Sequence, residues 1–201
     1  MAQHYWLAGL RATHTADDAA LGAYIIYGLA QQATEQGRPA EAATLVETAL
    51  IGARGRATPA LLARLHISQA YARAVLQDGS GCTGALAKAD SWAERVKPEK
   101  EPSRLYWVNQ AEVTADIGWV LLRLGRADQA VRPLADGVRQ LDDSIVRDRQ
   151  LFLTDWATRW LGRDRSRTWR RLPAEGWRPL SWPKVYPQRV VRSGFVTSAS
   201  R

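Results

Sequence analysis

The sequence predicts an all-α protein, a superhelix of antiparallel helix pairs followed by an irregular basic C-terminal tail. Two observations carry this prediction. Apolar residues recur with the period of a helix rather than that of a strand over most of residues 17–155. One pattern of small residues also occurs twice in the same register, around Gly37 and around Gly125. Two copies in register predict a helical repeat, because each pair must bury its apolar face against a neighbour.

Residues 1–16 predict a partial helix that belongs to a preceding repeat. From Gln3 to Ala12 the apolar spacing is that of a second helix whose first helix is missing. Asp17 and Asp18 then predict the start of the next helix, since acidic residues are favourable near its positive end. Three helical hairpins are expected within residues 17–155.

The first and third hairpins are predicted to turn at Gly37 and Gly125, because glycine adopts the left-handed conformation that ends a helix. Small residues stand at matching offsets before and after each glycine, which predicts close contact between the two helices of a pair. They are Ala30, Ala42 and Ala49 around Gly37, and Gly118, Ala130 and Gly137 around Gly125.

The second hairpin is a more diverged copy. Thr58-Pro59 predicts its start and Gln77 the end of its first helix, before the break at Asp78–Gly81. Cys82 corresponds in register to the small residues that follow Gly37 and Gly125, so we expect a buried small residue rather than a nucleophile.

An irregular linker with two prolines follows the second hairpin over residues 97–103. We expect Tyr106 and Trp107 to pack into the hairpin that comes after it.

The C-terminal segment 156–201 differs sharply in composition from the rest of the chain. It holds 11 Lys and Arg against two acidic residues, whereas residues 1–155 hold 17 against 18. Five of the nine tryptophans and four of the nine prolines also lie there, and the prolines exclude a long helix.

Three interpretations of this tail stay open. Its arginines and tryptophans could bind nucleic acid or an anionic membrane surface. The tail could equally be a solvated, disordered extension. It could also be translated from the wrong reading frame. If Arg159–Arg171 are encoded by G+C-rich codons, the shifted frame encodes the end of one helix and the alanine-rich start of another. A fourth repeat would need both.

The sequence has no group of residues with the spacing of a catalytic or metal site. His4, His14 and His66 lack metal-site spacing, and Cys82 has no cysteine partner. The Asp78–Gly81 turn lacks the lysine and the preceding strand of a phosphate-binding loop. We therefore expect no enzymatic activity, no metal and no cofactor.

No stretch of the sequence approaches the ~20 apolar residues of a membrane span, and we expect no signal peptide. The sequence has a single cysteine and so no internal disulfide framework. A cytoplasmic protein is the expected result.

Five segments carry a resemblance to a known family: Leu29–Ala49, Gly52–Pro59, Leu105–Gly118, Leu124–Ala130 and Val146–Arg149. They resemble the tetratricopeptide-like C-terminal region of bacterial XRE-type transcriptional regulators, over about residues 3–158 of this chain. The resemblance implies a tetratricopeptide-like superhelix that senses a partner or effector, behind a DNA-binding helix-turn-helix. Since no helix-turn-helix precedes the array in this sequence, we expect no direct sequence-specific DNA binding by this chain.

The resemblance also implies where a ligand would bind, since the first helix of each tetratricopeptide pair lines a concave groove. When the three first helices are aligned on their turn residues, the positions that face the groove hold aromatic rings and a few charges. Such a surface is typical of a site that binds a peptide or a short helix. The predicted groove residues are Tyr24, Tyr27, Gln31, Glu35, Arg64, Ser68, Tyr71, Glu112, Asp116, Trp119 and Arg123. For each aromatic residue, packing against a neighbouring helix is an open alternative.

The sequence therefore predicts a regulatory interaction scaffold, the sensory or effector half of a transcriptional regulator, which binds a peptide or protein in its groove. The alternative is a nucleic-acid-associated protein that acts through the basic tail, and a steep salt dependence of binding would favour it. We also expect self-association, because apolar repeat faces are predicted to be exposed at both ends of the array.

Overall fold

In the computed structural model, residues 2–140 form seven α-helices and contain no strand. The helices are α1 Ala2–Thr15, α2 Ala19–Glu35, α3 Pro39–Gly52, α4 Pro59–Val75, α5 Gly79–Ala93, α6 Gln110–Arg123 and α7 Ala127–Gln140. Two short 3-10 helices, Pro98–Lys100 and Ser103–Leu105, lie between α5 and α6. The structure describes residues 2–140, so the predicted tail and residues 141–155, the end of the third predicted hairpin, lie outside it.

The helices pack as successive pairs, which confirms the predicted all-α fold of helix pairs stacked as in a repeat superhelix. The pairs are α2 with α3, α4 with α5, and α6 with α7, while α1 packs on α2. The first helices of the pairs, α2, α4 and α6, pack side by side, and α3 and α5 each contact the first helix of the following pair. None of the helices within residues 2–140 has the length and apolar content to cross a membrane.

Each pair turns at a residue in the left-handed region of backbone space. These residues are Gly37, Gln77 and Gly125, with φ of 77°, 61° and 85°. In each turn the next N–H bonds back to a carbonyl of the first helix, at 2.8 to 2.9 Å. The three turns stand where the sequence predicts them. They are similar because one local hydrogen-bonding pattern ends all three first helices.

Side-chain caps start the first helix of each pair. Asp18 accepts a hydrogen bond from the Leu21 N–H at 2.9 Å, and Asn109 accepts one from the Glu112 N–H at 2.9 Å. Thr58 accepts from the Leu61 N–H at 3.5 Å, with Pro59 at the first helical position. Each oxygen satisfies one of the N–H groups that a helix start leaves without a partner.

Small side chains form the seam inside each pair. Ala42, Cys82 and Ala130, which share one register position, are all 0% exposed. At Gly118 the contact is close enough that an added Cβ would lie 2.5 Å from the backbone nitrogen of Leu134. Burial raises the pKa of Cys82 to about 11, so its thiol stays protonated at neutral pH.

Candidate interaction groove

The eleven predicted groove residues all lie on the first helices of the pairs. The structure places Tyr24, Tyr27, Gln31 and Glu35 on α2, Arg64, Ser68 and Tyr71 on α4, and Glu112, Asp116, Trp119 and Arg123 on α6. Since α2, α4 and α6 pack side by side, the three sets share one wall. We call these eleven residues the groove wall.

One guanidinium joins all three helices of the groove wall. Arg64 of α4 forms an ion pair with Asp116 of α6 and donates a hydrogen bond from Nη2 to the hydroxyl of Tyr27 on α2, at 2.8 Å. Arg64 is 5% exposed and Asp116 6%. Burial disfavours the charged guanidinium, but Asp116, Tyr27 and Glu112 outweigh this cost and raise the pKa of Arg64.

The same guanidinium lies among aromatic rings. Its carbon is 4.8 Å from the ring centroid of Trp107 and 5.4 Å from that of Tyr27. Both distances fall within the range in which a cation is attracted to a ring face. Arg64 is therefore fixed by an ion pair, a hydrogen bond and two rings.

A second aromatic cluster lies further along the groove wall. The rings of Tyr71 and Trp119 are 4.5 Å apart and tilted by 49°. Arg123 lies above both, 4.8 Å from the Trp119 centroid and 5.7 Å from that of Tyr71. Trp119 and Arg123 are half-buried, so part of this cluster is available for contact.

The groove wall is in part protein core. Five of its residues are buried: Arg64, Ser68, Tyr71, Glu112 and Asp116. Tyr24, Tyr27, Gln31, Trp119 and Arg123 are half-buried, and Glu35 is exposed. The second set is therefore the part of the wall that is accessible from outside, whereas the buried five pack between the helices.

Sequence reasoning missed that the linker between α5 and α6 packs onto the groove wall. Leu105 and Val108 are 1% and 2% exposed, and Trp107 stacks on Arg64. Glu101 accepts a hydrogen bond from the N–H of Ala60 at the start of α4, at 3.2 Å. The spacing of Leu105 and Val108, three residues apart on either side of Trp107, is the only sequence signal of a buried turn here. The two prolines before it indicate an exposed, irregular linker instead.

The two aromatic residues of the linker have different environments. Trp107 is half-buried, stacks on Arg64 of the second pair, and donates from its ring N–H to the carbonyl of Arg104, at 3.1 Å. The prediction for Tyr106 is wrong, because its side chain is 79% exposed. The short 3-10 helix Ser103–Leu105 ends immediately before Tyr106. The buried side chains of this part of the linker are Leu105, at the end of the 3-10 helix, and Val108, in the turn that follows.

Ser68 of α4 carries a buried hydroxyl whose contribution to stability can be measured. Its side chain is 0% exposed, and its Oγ has no hydrogen-bond partner among the described residues. We expect Ser68→Ala to leave the free energy of unfolding unchanged or to raise it by about 1 kcal/mol, since the variant removes a buried hydroxyl that makes no bond. Urea unfolding measures this.

A matched control is Thr34→Val, because the buried Thr34 hydroxyl donates to the carbonyl of Ala30 at 3.0 Å. That variant is expected to lose about 1 kcal/mol. If Ser68→Ala lost as much as Thr34→Val, the Ser68 hydroxyl would have to be bonded in solution.

His66 predicts a pH dependence of stability. It is 8% exposed, and burial lowers its pKa below the usual 6.5, although a contact with Gln69 opposes the shift. Below about pH 6.5 the unfolded chain takes up a proton that the folded chain does not, so stability falls as the pH drops towards the folded-state pKa.

We therefore expect wild-type protein to lose more stability than His66→Gln between about pH 7.5 and about pH 5.5. Urea unfolding of both proteins at the two pH values measures the difference, and the other histidines are common to both. Parallel losses in the two proteins would contradict the prediction.

An apolar cleft lies away from the groove wall. It has a volume of about 760 Å³ and opens between α1, α2 and the end of α3, lined by residues such as Leu10, Ala23, Ile26 and Ala49. No residue of the groove wall lines it. The described part of the chain also contains no cluster of three or more His, Cys, Asp or Glu side chains able to hold a metal ion.

On the groove wall, Arg64 is paired with Asp116, and Arg123 lies over the rings of Tyr71 and Trp119. The regulator resemblance stays a prediction. Comparison with protein-family models, curated proteins and solved structures found no match to this chain.

Proposed function

We propose that the chain is a non-catalytic interaction scaffold that binds a peptide or a short protein segment on the groove wall. The observation that carries this proposal is the concentration of aromatic rings and arginines on one face of α2, α4 and α6. Tyrosine, tryptophan and arginine provide most of the binding energy at protein interfaces. The resemblance to transcriptional regulators supports a sensory role in the cytoplasm.

Selection of displayed random peptides on the full chain tests the binding function. We expect enriched peptides whose affinity falls at least tenfold in Trp119→Ala, because Trp119 is a half-buried ring at the centre of a cluster. Ile51→Ala is the matched control, since Ile51 is 71% exposed on α3, outside the groove wall. An absence of enriched peptides, or equal losses in the two variants, would reject the groove as the binding site.

A reporter experiment tests the regulatory part of the proposal. The full chain is joined to an unrelated DNA-binding domain whose operator controls a reporter gene in bacteria. We expect co-expression of a selected peptide to change reporter output, and expect Trp119→Ala to abolish the change. A fusion that binds its operator and the peptide without any change in output would leave the scaffold without a regulatory role.

The charge of residues 156–201 favours a second candidate, a nucleic-acid-associated protein. Eleven basic residues against two acidic ones, interleaved with tryptophans, suit contacts with phosphates and bases. Binding of mixed-sequence single-stranded DNA by the full chain tests this candidate. A steep fall in affinity with salt that disappears when residues 156–201 are removed would support it.

Self-association is expected through α1. Tyr5 is 76% exposed and Leu7 44% exposed on this helix. They lie about 200° apart around its axis, so each is a separate large apolar side chain that a second molecule could cover. Sedimentation velocity measures this, with the double variant Tyr5→Ser, Leu7→Ser expected to shift the protein towards monomer. Identical sedimentation of the two proteins would exclude α1 as the contact.

A further inference from the structure

We infer that one strip of the groove wall binds an extended peptide with an acidic residue at one end and a basic residue at the other. The α2 strip consists of Tyr24, Tyr27, Gln31 and Glu35 on α2, with Arg104 of the linker over its first ring. The inference rests on the proposed function, because it names the chemistry of the peptide that the groove binds.

Arg104 forms the positive end of the α2 strip. Its guanidinium carbon lies 6.0 Å from the ring centroid of Tyr24. It is half-buried and makes no ion pair with a carboxylate of residues 4–140. A cation that is partly removed from water and has no paired carboxylate among those residues keeps its attraction for one, and the planar guanidinium can bind a carboxylate with two hydrogen bonds.

Glu35 forms the negative end. It is exposed in the last turn of α2 and likewise makes no ion pair within the described part of the chain. An acidic residue is unfavourable there, because the carbonyls at the end of a helix already carry partial negative charge. A cationic side chain of a ligand would meet both the carboxylate and the carbonyls, so this position favours a basic residue.

The middle of the α2 strip supplies contact area. The rings of Tyr24 and Tyr27 are 6.0 Å apart and tilted by 33°, and both are half-buried. Gln31 donates a hydrogen bond to the Tyr27 hydroxyl at 3.3 Å, which fixes the ring. Rigid aromatic surface binds peptide side chains at a low cost in conformational entropy.

The length of the strip sets the spacing in the ligand. From Tyr24 to Glu35 the helix rises by about 16 Å, and an extended peptide covers that distance in about five residues. The charges at the two ends have opposite signs, so they also fix the direction of the peptide. The expected ligand therefore has an acidic and a basic residue about five positions apart, in one order only.

Peptides of about 12 residues selected from a random displayed library on the full chain test this spacing. The selected peptides are then synthesised and titrated against wild type, Arg104→Glu and Glu35→Lys. We expect each charge reversal to weaken binding about fivefold, the value of a partly exposed ion pair. Exchanging the acidic and basic residues of the peptide is expected to restore binding to the double variant Arg104→Glu, Glu35→Lys.

Matched controls reverse charges outside the groove wall. Glu94 stands at the end of α5 as Glu35 does at the end of α2, and Arg54 is an exposed loop residue. Glu94→Lys and Arg54→Glu are expected to bind the selected peptides as wild type does. Thermal unfolding of every variant separates lost binding from lost folding, and Glu35→Lys remains informative if Arg104→Glu unfolds, because Glu35 is exposed.

Each outcome decides between the two levels of the proposal. Peptides with the paired charges, and restored binding in the double variant, support the inference. Peptides that bind and need Trp119, yet lack the charge pair or tolerate both reversals, overturn the inference and leave the groove function in place. A selection that yields no binding peptide overturns the groove function and the inference together.

Discussion

Replacing Asp116 with leucine is expected to reduce the free energy of unfolding by about 3–5 kcal/mol. The variant leaves the Arg64 guanidinium charged and buried without its carboxylate, since Arg64 is only 5% exposed. Keeping a guanidinium buried after it has lost its ion-pair partner is costly, and the remaining interactions with Tyr27 and Glu112 offset only part of that cost. Urea unfolding at neutral pH measures the loss.

The double variant Arg64→Met, Asp116→Leu separates the buried charge from the packing. It removes both charges of the ion pair and keeps apolar volume, so part of the lost stability should return, although the buried Glu112 loses its interaction with Arg64. The exposed pair Arg38–Glu41, with side chains 43% and 47% exposed, is the matched control. Glu41→Gln is expected to cost less than about 1 kcal/mol. A double variant as unstable as Asp116→Leu would contradict this account of Arg64.

Replacing Gly118 with alanine is expected to destabilise the third pair by about 1–3 kcal/mol. The added Cβ would lie 2.5 Å from the backbone nitrogen of Leu134 and 2.8 Å from its Cα, so α6 and α7 would have to move apart. Gly137→Ala is expected to act alike, because its Cβ would meet the backbone of Ala115. Thermal or urea unfolding provides the measurement.

Gly84 offers a control for helix propensity in the same experiment. It lies inside α5, is exposed, and an added Cβ would meet nothing within 4 Å. Gly84→Ala should therefore stabilise the protein by about 0.5–1 kcal/mol. If Gly118→Ala stabilised the protein as much as Gly84→Ala, close backbone contact would not be what Gly118 provides.

The elements that sequence reasoning predicts well are those governed by local chemistry. The turns at Gly37, Gln77 and Gly125 depend on one left-handed residue and its neighbours, and the sequence carries that information directly. The buried position shared by Ala42, Cys82 and Ala130 follows from the same register. Counting residues from each turn is therefore enough to locate the small residues at which the two helices of a pair touch.

The candidate site depends on contacts between residues far apart in the chain, and periodicity does not encode these. Counting from the turns places Arg64 and Asp116 on the same wall, but not in one buried ion pair. The two prolines of the linker predict an irregular segment, and nothing in its composition indicates that Arg104 returns to Tyr24. The Tyr106 prediction is wrong for the same reason, since two adjacent residues of a turn face opposite surroundings.

The linker also determines how the array should lose its structure. In a simple solenoid each repeat touches only its neighbours, so the ends can fray while the centre stays folded. Here a segment that follows the second pair reaches back to Tyr24 in the first and to Arg64, which in turn binds Asp116 in the third. Opening any pair removes contacts from the other two, so the three pairs should unfold as one cooperative unit.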